Sequence, residues 1–195
     1  MTLPASVEGD ERLRLFLALR LPDDVLSPLV RWQERELGPA SREGAGRLVP
    51  AGNLHVTLAF LGSRPAGELQ AILHALERAC VRAQRPELEV QAYREGRSVG
   101  MLVLDDREQR AARLAEDVQA RVEELGAYRR EKRKWLPHVT VVRYRERPRL
   151  EPALPHLGPI VPSDAAAFLS RLHPSGARYE VLESFALPTG TALGG

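Results

Sequence analysis

The sequence predicts an α+β protein with largely antiparallel sheets. Three observations predict it. Strand-like and helix-like stretches interleave with short hairpins, no glycine-rich phosphate loop follows any strand, and the order strand–helix–strand–helix recurs around two segments that echo one another. The recurrence implies an internal duplication. The expected architecture is therefore bilobal: two pseudo-twofold-related antiparallel sheets flanked by helices, with a central cleft. With 195 residues, the chain can bury one sizeable core shared by both lobes.

Each element has a local reason. Residues 1–10 read as a flexible tail, 11–188 as one bilobal domain and 189–195 as a second loose tail. "RLRLFLALRLP" (Arg12 to Pro22) is an apolar run ended by proline, a strand. "DDVLSPLVRWQERELG" follows as a helix with an acidic first turn, closed by Gly38, and "GPASREGAGR" is a loop by composition. "NLHVTLAFLG" (Asn53 to Gly62) is a strand, and Leu69, Ile72, Leu73, Leu76 and Cys80 then recur at helical spacing. "PELEVQAYREG" and "SVGMLVLDD" form a strand pair turning near Glu95–Arg97. An amphipathic helix follows, with Leu114, Val118, Val122 and Leu125 on one stripe. After a basic run comes "LPHVTVVRYR" (Leu136 to Arg145), a strand that echoes the earlier one. A proline-rich loop leads to two last strands, "AAAFLSRLHP" and "ARYEVLESFAL", separated by the turn signal "SG".

Composition excludes several classes. The chain is 44% apolar and 28% charged with a formal charge of +2, which is ordinary for a globular protein. No uncharged apolar stretch is long enough for a membrane span, and "MTLPASVEGDER" has no secretory signal pattern. Cys80, the single cysteine, excludes an internal disulfide framework and thiolate-rich zinc sites, and fits a reducing cytoplasm. Basic charge is carried almost wholly by arginine, whose planar donor fork suits phosphate.

The chemistry lies in the echo. Alternate strand side chains face opposite ways, so His55 and Thr57 share a face, as do His138 and Thr140, while Leu54, Val56, Leu58, Val139 and Val141 point to the core. A single strand histidine is more often structural than catalytic. Two copies in matching apolar frames point to function. If the two faces meet across one cleft, two imidazoles with ordinary pKa values near 6.5 can act as acid and base at a phosphorus centre. The threonine hydroxyls would then donate to the non-bridging oxygens. Two histidines without nearby Asp, Glu or Cys make a poor metal site, so metal-independent chemistry is expected, with no cofactor. No G-x-x-x-x-G-K-[ST] loop is present, and no ATP is implied.

With these motifs in view, the chain resembles the 2H phosphoesterase superfamily, and within it the RNA 2′,3′-cyclic phosphodiesterases, also called 2′–5′ RNA ligases. "HVTL" and "HVTV" match its two H-x-T-x motifs. "RLFLALRLPDDV", "NLHVTLAFLG", "PHVTVVR" and "GARYEVLESFAL" match further segments in order, so the resemblance spans roughly residues 12–187. It implies that His55 is the proton donor to the leaving ribose oxygen and His138 the proton acceptor that activates water. It also implies that Thr57, Thr140 and Arg143 hold the phosphate. The reaction implied is opening of an RNA terminal 2′,3′-cyclic phosphate to a 2′-phosphomonoester, with weak reverse 2′–5′ ligation. The motifs are equally compatible with a sister activity, on ADP-ribose 1″,2″-cyclic phosphate or 2′–5′ oligoadenylate, and with a non-catalytic RNA-binding module.

Three further features have a chemical and a plain explanation. Strict alternation puts Arg143 on the face of Val139 and Val141, so it reaches a phosphate only if the strand twists, bulges or ends before it. The same rule assigns Phe60 to the core. "YRREKRKW" (Tyr128 to Trp135) offers Arg130, Lys132, Arg133 and Lys134 as candidate RNA contacts, with an aromatic at each end available for stacking. A solvated loop after a helix end explains the same run.

Overall fold

Alternation builds the first strand as expected. In Arg12–Arg20 (β1) the leucines at 13, 15, 17 and 19 are buried, while Arg12, Arg14 and Arg20 are exposed on the other side. The computed structural model describes residues 11–173 and 176–189. The two expected tails, except Thr189, lie outside the described residues, as does Ser175 of the "SG" turn.

After β1 the chain forms α1 (Asp23–Trp32), a π-helical turn (Gln33–Leu37), α2 (Gly38–Arg42), β2 (Arg47–Leu48) and β3 (His55–Pro65). It continues through α3 (Leu69–Arg82), β4 (Glu89–Glu95), β5 (Val99–Asp105) and α4 (Arg110–Glu124) to β6 (His138–Arg143), β7 (Asp164–Arg171) and β8 (Arg178–Ala186). Two local differences from the sequence reading have simple causes. Gly38 does not end the helical path, because it keeps helical φ and Pro39 falls at the start of α2, where a missing N–H costs nothing. Leu125 lies beyond the end of α4 and is 46% exposed, off the buried stripe of Leu114, Val118 and Val122.

The strands run in the order β4-β5-β6-β3-β1-β7-β8, with β2 paired to β6, and every pairing is antiparallel. Two half-sheets are evident, β4-β5-β6 with β2 and β3-β1-β7-β8. They join at a single pair, Val56 with Val139. The two expected sheets are thus halves of one hydrogen-bonded path, hinged at one point. Helices α1, α3 and α4 contribute Trp32, Leu29, Ile72, Leu76, Leu114 and Val118 to one large core with the inward residues of both halves. Fully burying one such aliphatic side chain contributes about 1.5–3 kcal/mol. The opposite face of β1 and β7 carries only a small cluster, Phe16, Ala18, Ala166 and Phe168.

A β-bulge sits at the same place in both echo strands. Against β1, Leu17 pairs with Ala59 and Ala18 with Thr57, leaving Leu58 extra. Against β5, Gly100 pairs with Val142 and Met101 with Thr140, leaving Val141 extra. In each case two consecutive residues are buried, Leu58–Ala59 and Val141–Val142, and alternation is reset beyond them. Phe60 and Arg143 therefore turn to the side of the histidines.

The bulge in β6 presses Val142 onto β5 at Gly100. A Cβ there would lie 2.6 Å from Val142 Cγ1 and would overlap Tyr93 Oη. Gly100→Ala should therefore cost about 1–3 kcal/mol of stability, read from urea unfolding, by overpacking the bulge.

Candidate active site

Around the Val56–Val139 pair, the antiparallel register sets His55 across from Thr140 and Thr57 across from His138. Val56 and Val139 are 0% and 1% exposed, while the four polar residues are only half-buried. One backbone pair thus fixes a quartet of two imidazoles and two hydroxyls on one face, with twofold character.

The two rings are held alike. His55 Nδ1 lies 2.8 Å from the Asn53 carbonyl and His138 Nδ1 lies 2.9 Å from the Leu136 carbonyl, each two residues upstream. A carbonyl only accepts, so Nδ1 carries the proton in both rings and Nε2 is left for chemistry. His55 Nε2 is 3.0 Å from Thr57 Oγ1. Asn53 is itself tied down, its Nδ2 donating to the Ala177 carbonyl at 2.8 Å.

The surroundings of the rings differ. His55 leans on Phe16 at 4.8 Å between centroids, with Phe168 at 5.9 Å and the edge of Tyr179 at 5.6 Å. Phe16 and Phe168, paired across β1 and β7, stack at 4.8 Å and 2°. Small residues, Ala18 and Ala166, fill the neighbouring positions in the same cluster. Burial against these rings pushes the His55 pKa down to about 4. The Asn53 carbonyl opposes the shift, and the nearby His138 and Arg143 charges add to it. The free chain therefore holds His55 neutral at pH 7.

A cavity of about 1200 Å³ opens on this face. His55, Thr57, Thr140 and Arg143 line it, together with Phe60, Arg14 and Tyr179, and residues 44–50 and 144–148 form its walls. His138 is not among the lining residues, although its charge reaches His55. Arg143 lines the cavity because of the bulge. Phe60, expected in the core, is 48% exposed there and lies beneath the Arg14 guanidinium at 4.9 Å. The signal for it was present in the sequence only as an equivalence: Phe60 and Arg143 both stand five residues after a motif histidine.

The basic run lies elsewhere. None of Arg130, Lys132, Arg133 and Lys134 lines the cavity. Arg130 pairs with Glu123 at 3.5 Å, and Arg133 with Glu131 at 3.0 Å. Its flanking aromatics are turned inward: Trp135 Nε1 donates to the Thr57 carbonyl at 3.0 Å, and Tyr128 packs against the main core. Both are partly buried against the main core. Cys80 is buried in the core, and burial, with Asp164 nearby, pushes its thiol pKa up to about 12. Among the described residues no group of three or more His, Cys, Asp or Glu could hold a metal ion, and no helix is long and apolar enough to cross a membrane.

Comparisons with known proteins identify the family. The family model described as "2′-5′ RNA ligase superfamily" matches residues 21–173. The RNA 2′,3′-cyclic phosphodiesterase of Thermus thermophilus is 34% identical over 187 residues, 90% of each chain. The enzyme of the same name from Escherichia coli is 40% identical over 62 residues, 32% of this chain and 33% of that one. Among solved structures, E. coli LigT in apo form superposes with TM-score 0.74 at 26% identity, covering 93% of this chain and all of that one. TT0787 of T. thermophilus superposes with TM-score 0.73 at 29% identity, covering 92% of this chain and 100% of that one. The fold is that of a 2H phosphoesterase. The chain belongs to the 2′-5′ RNA ligase superfamily, and it is an enzyme of the phosphodiesterase kind that both curated relatives represent.

The depressed His55 pKa has a consequence for stability. An unfolded histidine takes up a proton near pH 6.5, whereas folded His55 does so only near 4, so stability is lost as pH falls through that window. Between pH 7 and 5 the wild type should lose on the order of 1–2 kcal/mol more than His55→Ala, read from urea midpoints.

Proposed function

We propose that this chain opens the terminal 2′,3′-cyclic phosphate of RNA to a 2′-phosphomonoester by metal-independent catalysis, with His55 as proton donor and His138 as proton acceptor. The observation that carries this reading is the register at Val56–Val139, which gathers both His–Thr pairs on one face. His138 Nε2 takes a proton from water as its oxygen attacks phosphorus. The bond from phosphorus to the 3′ oxygen breaks, and that oxygen receives the proton of His55 Nε2. His138 then gives up its proton to solvent and His55 regains one before the next turnover. With a 5′-hydroxyl in place of water as the attacking group, the same steps give a 2′–5′ linkage, a minor reaction where water is abundant.

Thr57, Thr140 and Arg143 hold the non-bridging oxygens, where hydroxyl and guanidinium donors meet the charge that develops in the transition state. Phe60 gives the base of the terminal nucleotide a flat apolar surface, steadied by Arg14. The neutral state of His55 in the free chain fits the donor role in one way only. An anion beside the ring raises its affinity for a proton, so substrate binding loads the acid. The names of the curated relatives support the choice of substrate over a sister cyclic phosphate.

With a nucleoside 2′,3′-cyclic phosphate and EDTA present, His55→Ala and His138→Ala should each lower kcat/KM by about 10²–10⁴-fold. Unimpaired turnover in either variant, or loss of wild-type turnover with EDTA that added metal restores, overturns the mechanism. Binding of inorganic phosphate at pH 6 should also take up a proton, measured calorimetrically in buffers of different ionisation enthalpy. His55→Ala should abolish that uptake.

A further inference from the structure

Two polar side chains in the main core repeat the twofold character of the site. Gln33, in the π-helical turn, is 2% exposed, and Gln119, on α4, is 8% exposed. Gln33 Nε2 donates to the Val141 carbonyl at 2.7 Å and to the Val49 carbonyl at 3.1 Å. Gln119 Nε2 donates to the Leu58 carbonyl at 2.8 Å. Val141 and Leu58 are the two extra residues of the bulges, each the fourth residue of its H-x-T-x motif. The two glutamines come from unrelated stretches of sequence and from different helical segments. They nevertheless meet the same atom of the same motif position.

A bulge removes its extra residue from the ladder, and a buried carbonyl left without a donor is costly. Gln119 supplies a donor to Leu58 from the helical face; at Val141, whose carbonyl also accepts from the Val49 N–H at 3.0 Å, Gln33 adds a second donor and ties the bulge to Val49. The bulge in turn decides which way the fifth residue after the histidine points. We propose that Gln33 and Gln119 are positioning residues: by holding the bulges at Val141 and Leu58, they turn Arg143 toward the phosphoryl group and Phe60 toward the nucleobase. This rests on the substrate-binding roles assigned above to Arg143 and Phe60. Neither glutamine lines the cavity, so each acts only through its partner on the opposite side of the strand.

The division between the two clamps makes the idea testable. Inorganic phosphate engages Arg143 and not Phe60, whereas adenosine 2′-monophosphate engages both. Gln33→Leu should weaken binding of both ligands by roughly tenfold, the scale of one charge-assisted hydrogen bond lost from a misdirected Arg143. Gln119→Leu should weaken the nucleotide while leaving phosphate within about twofold of wild type. Combining each with its partner should reveal coupling: Gln33→Leu should add less than about twofold in an Arg143→Ala background, and Gln119→Leu likewise in Phe60→Ala. The crossed pair, Gln33→Leu with Phe60→Ala, should be additive. General loosening of the fold would weaken both ligands alike and show no such pairing, and that result overturns the proposal. If Gln33→Leu does not fold, the Gln119 arm decides alone. Should Arg143→Ala and Phe60→Ala bind both ligands as wild type does, the assigned binding roles fail first, and the clamps lose their targets with them. Full coupling with unimpaired turnover in His55→Ala would instead leave the clamps standing and remove the acid–base reading.

Discussion

One backbone pair, Val56 with Val139, holds two half-sheets in register, and the placement of the motif side chains follows from it. Side-chain direction in a strand alternates with period two, so a slip of one residue would reverse every motif position. The valines would enter the cavity and the imidazoles would be driven against the helices. Burial of Val56 and Val139, 0% and 1% exposed, therefore selects the register that also gathers His55, Thr57, His138 and Thr140. The core and the site are specified by the same choice. A face carrying these four groups is thus secured by hydrophobic residues buried behind it.

The backbone is close to twofold around this pair, but the chemistry is not. Beside His55 and Thr57, β1 brings Arg20 and Ala18, and the small alanine leaves room for the imidazole to lean toward Phe16 and Phe168. Beside His138 and Thr140, β5 brings Val103 and Met101, and no ring contact to His138 occurs among the described residues. Beyond the bulges one strand offers Phe60 and the other Arg143. The proposed division of acid and base work between two equivalent histidines requires that their surroundings differ. Here the difference comes from neighbouring strands, while the duplicated motifs remain alike.

Much of this was legible in the sequence. The echo segments, the alternation within them, the helix stripes and the hairpins all rest on short-range periodicity, which single residues report faithfully. The departures share one cause. A bulge is set by which residue of a strand fails to find a partner on its neighbour, and "HVTLAF" and "HVTVVR" do not carry that information on their own. Strict alternation accordingly sent Phe60 to the core and Arg143 away from His138. The aromatic wall was hidden for a related reason: Phe16, Phe168 and Tyr179 lie on three strands far apart in the chain and meet only through the strand order β3-β1-β7-β8. Trp135 reads from its neighbours as part of a basic run, and its indole also donates to the Thr57 carbonyl.

The cleft and the buried amides are one structural fact seen from two sides. A groove requires β3 and β6 to part on either side of a single pair, and parting strands withdraw backbone partners from one another. The carbonyls of Thr57, Leu58 and Val141 lie where this happens, and each accepts from a side chain: Trp135, Gln119 and Gln33 respectively. At Thr57 and Leu58 an indole and a primary amide supply donors beside the open groove, and at Val141 the amide adds to the Val49 N–H, in each case at the cost of placing polar groups in an apolar core. Closing the groove with ordinary ladder bonds would leave no cavity on this face. The indole of Trp135 and the amide of Gln119 thus answer to the open side of β3, which is why a glutamine stands among the apolar positions of α4.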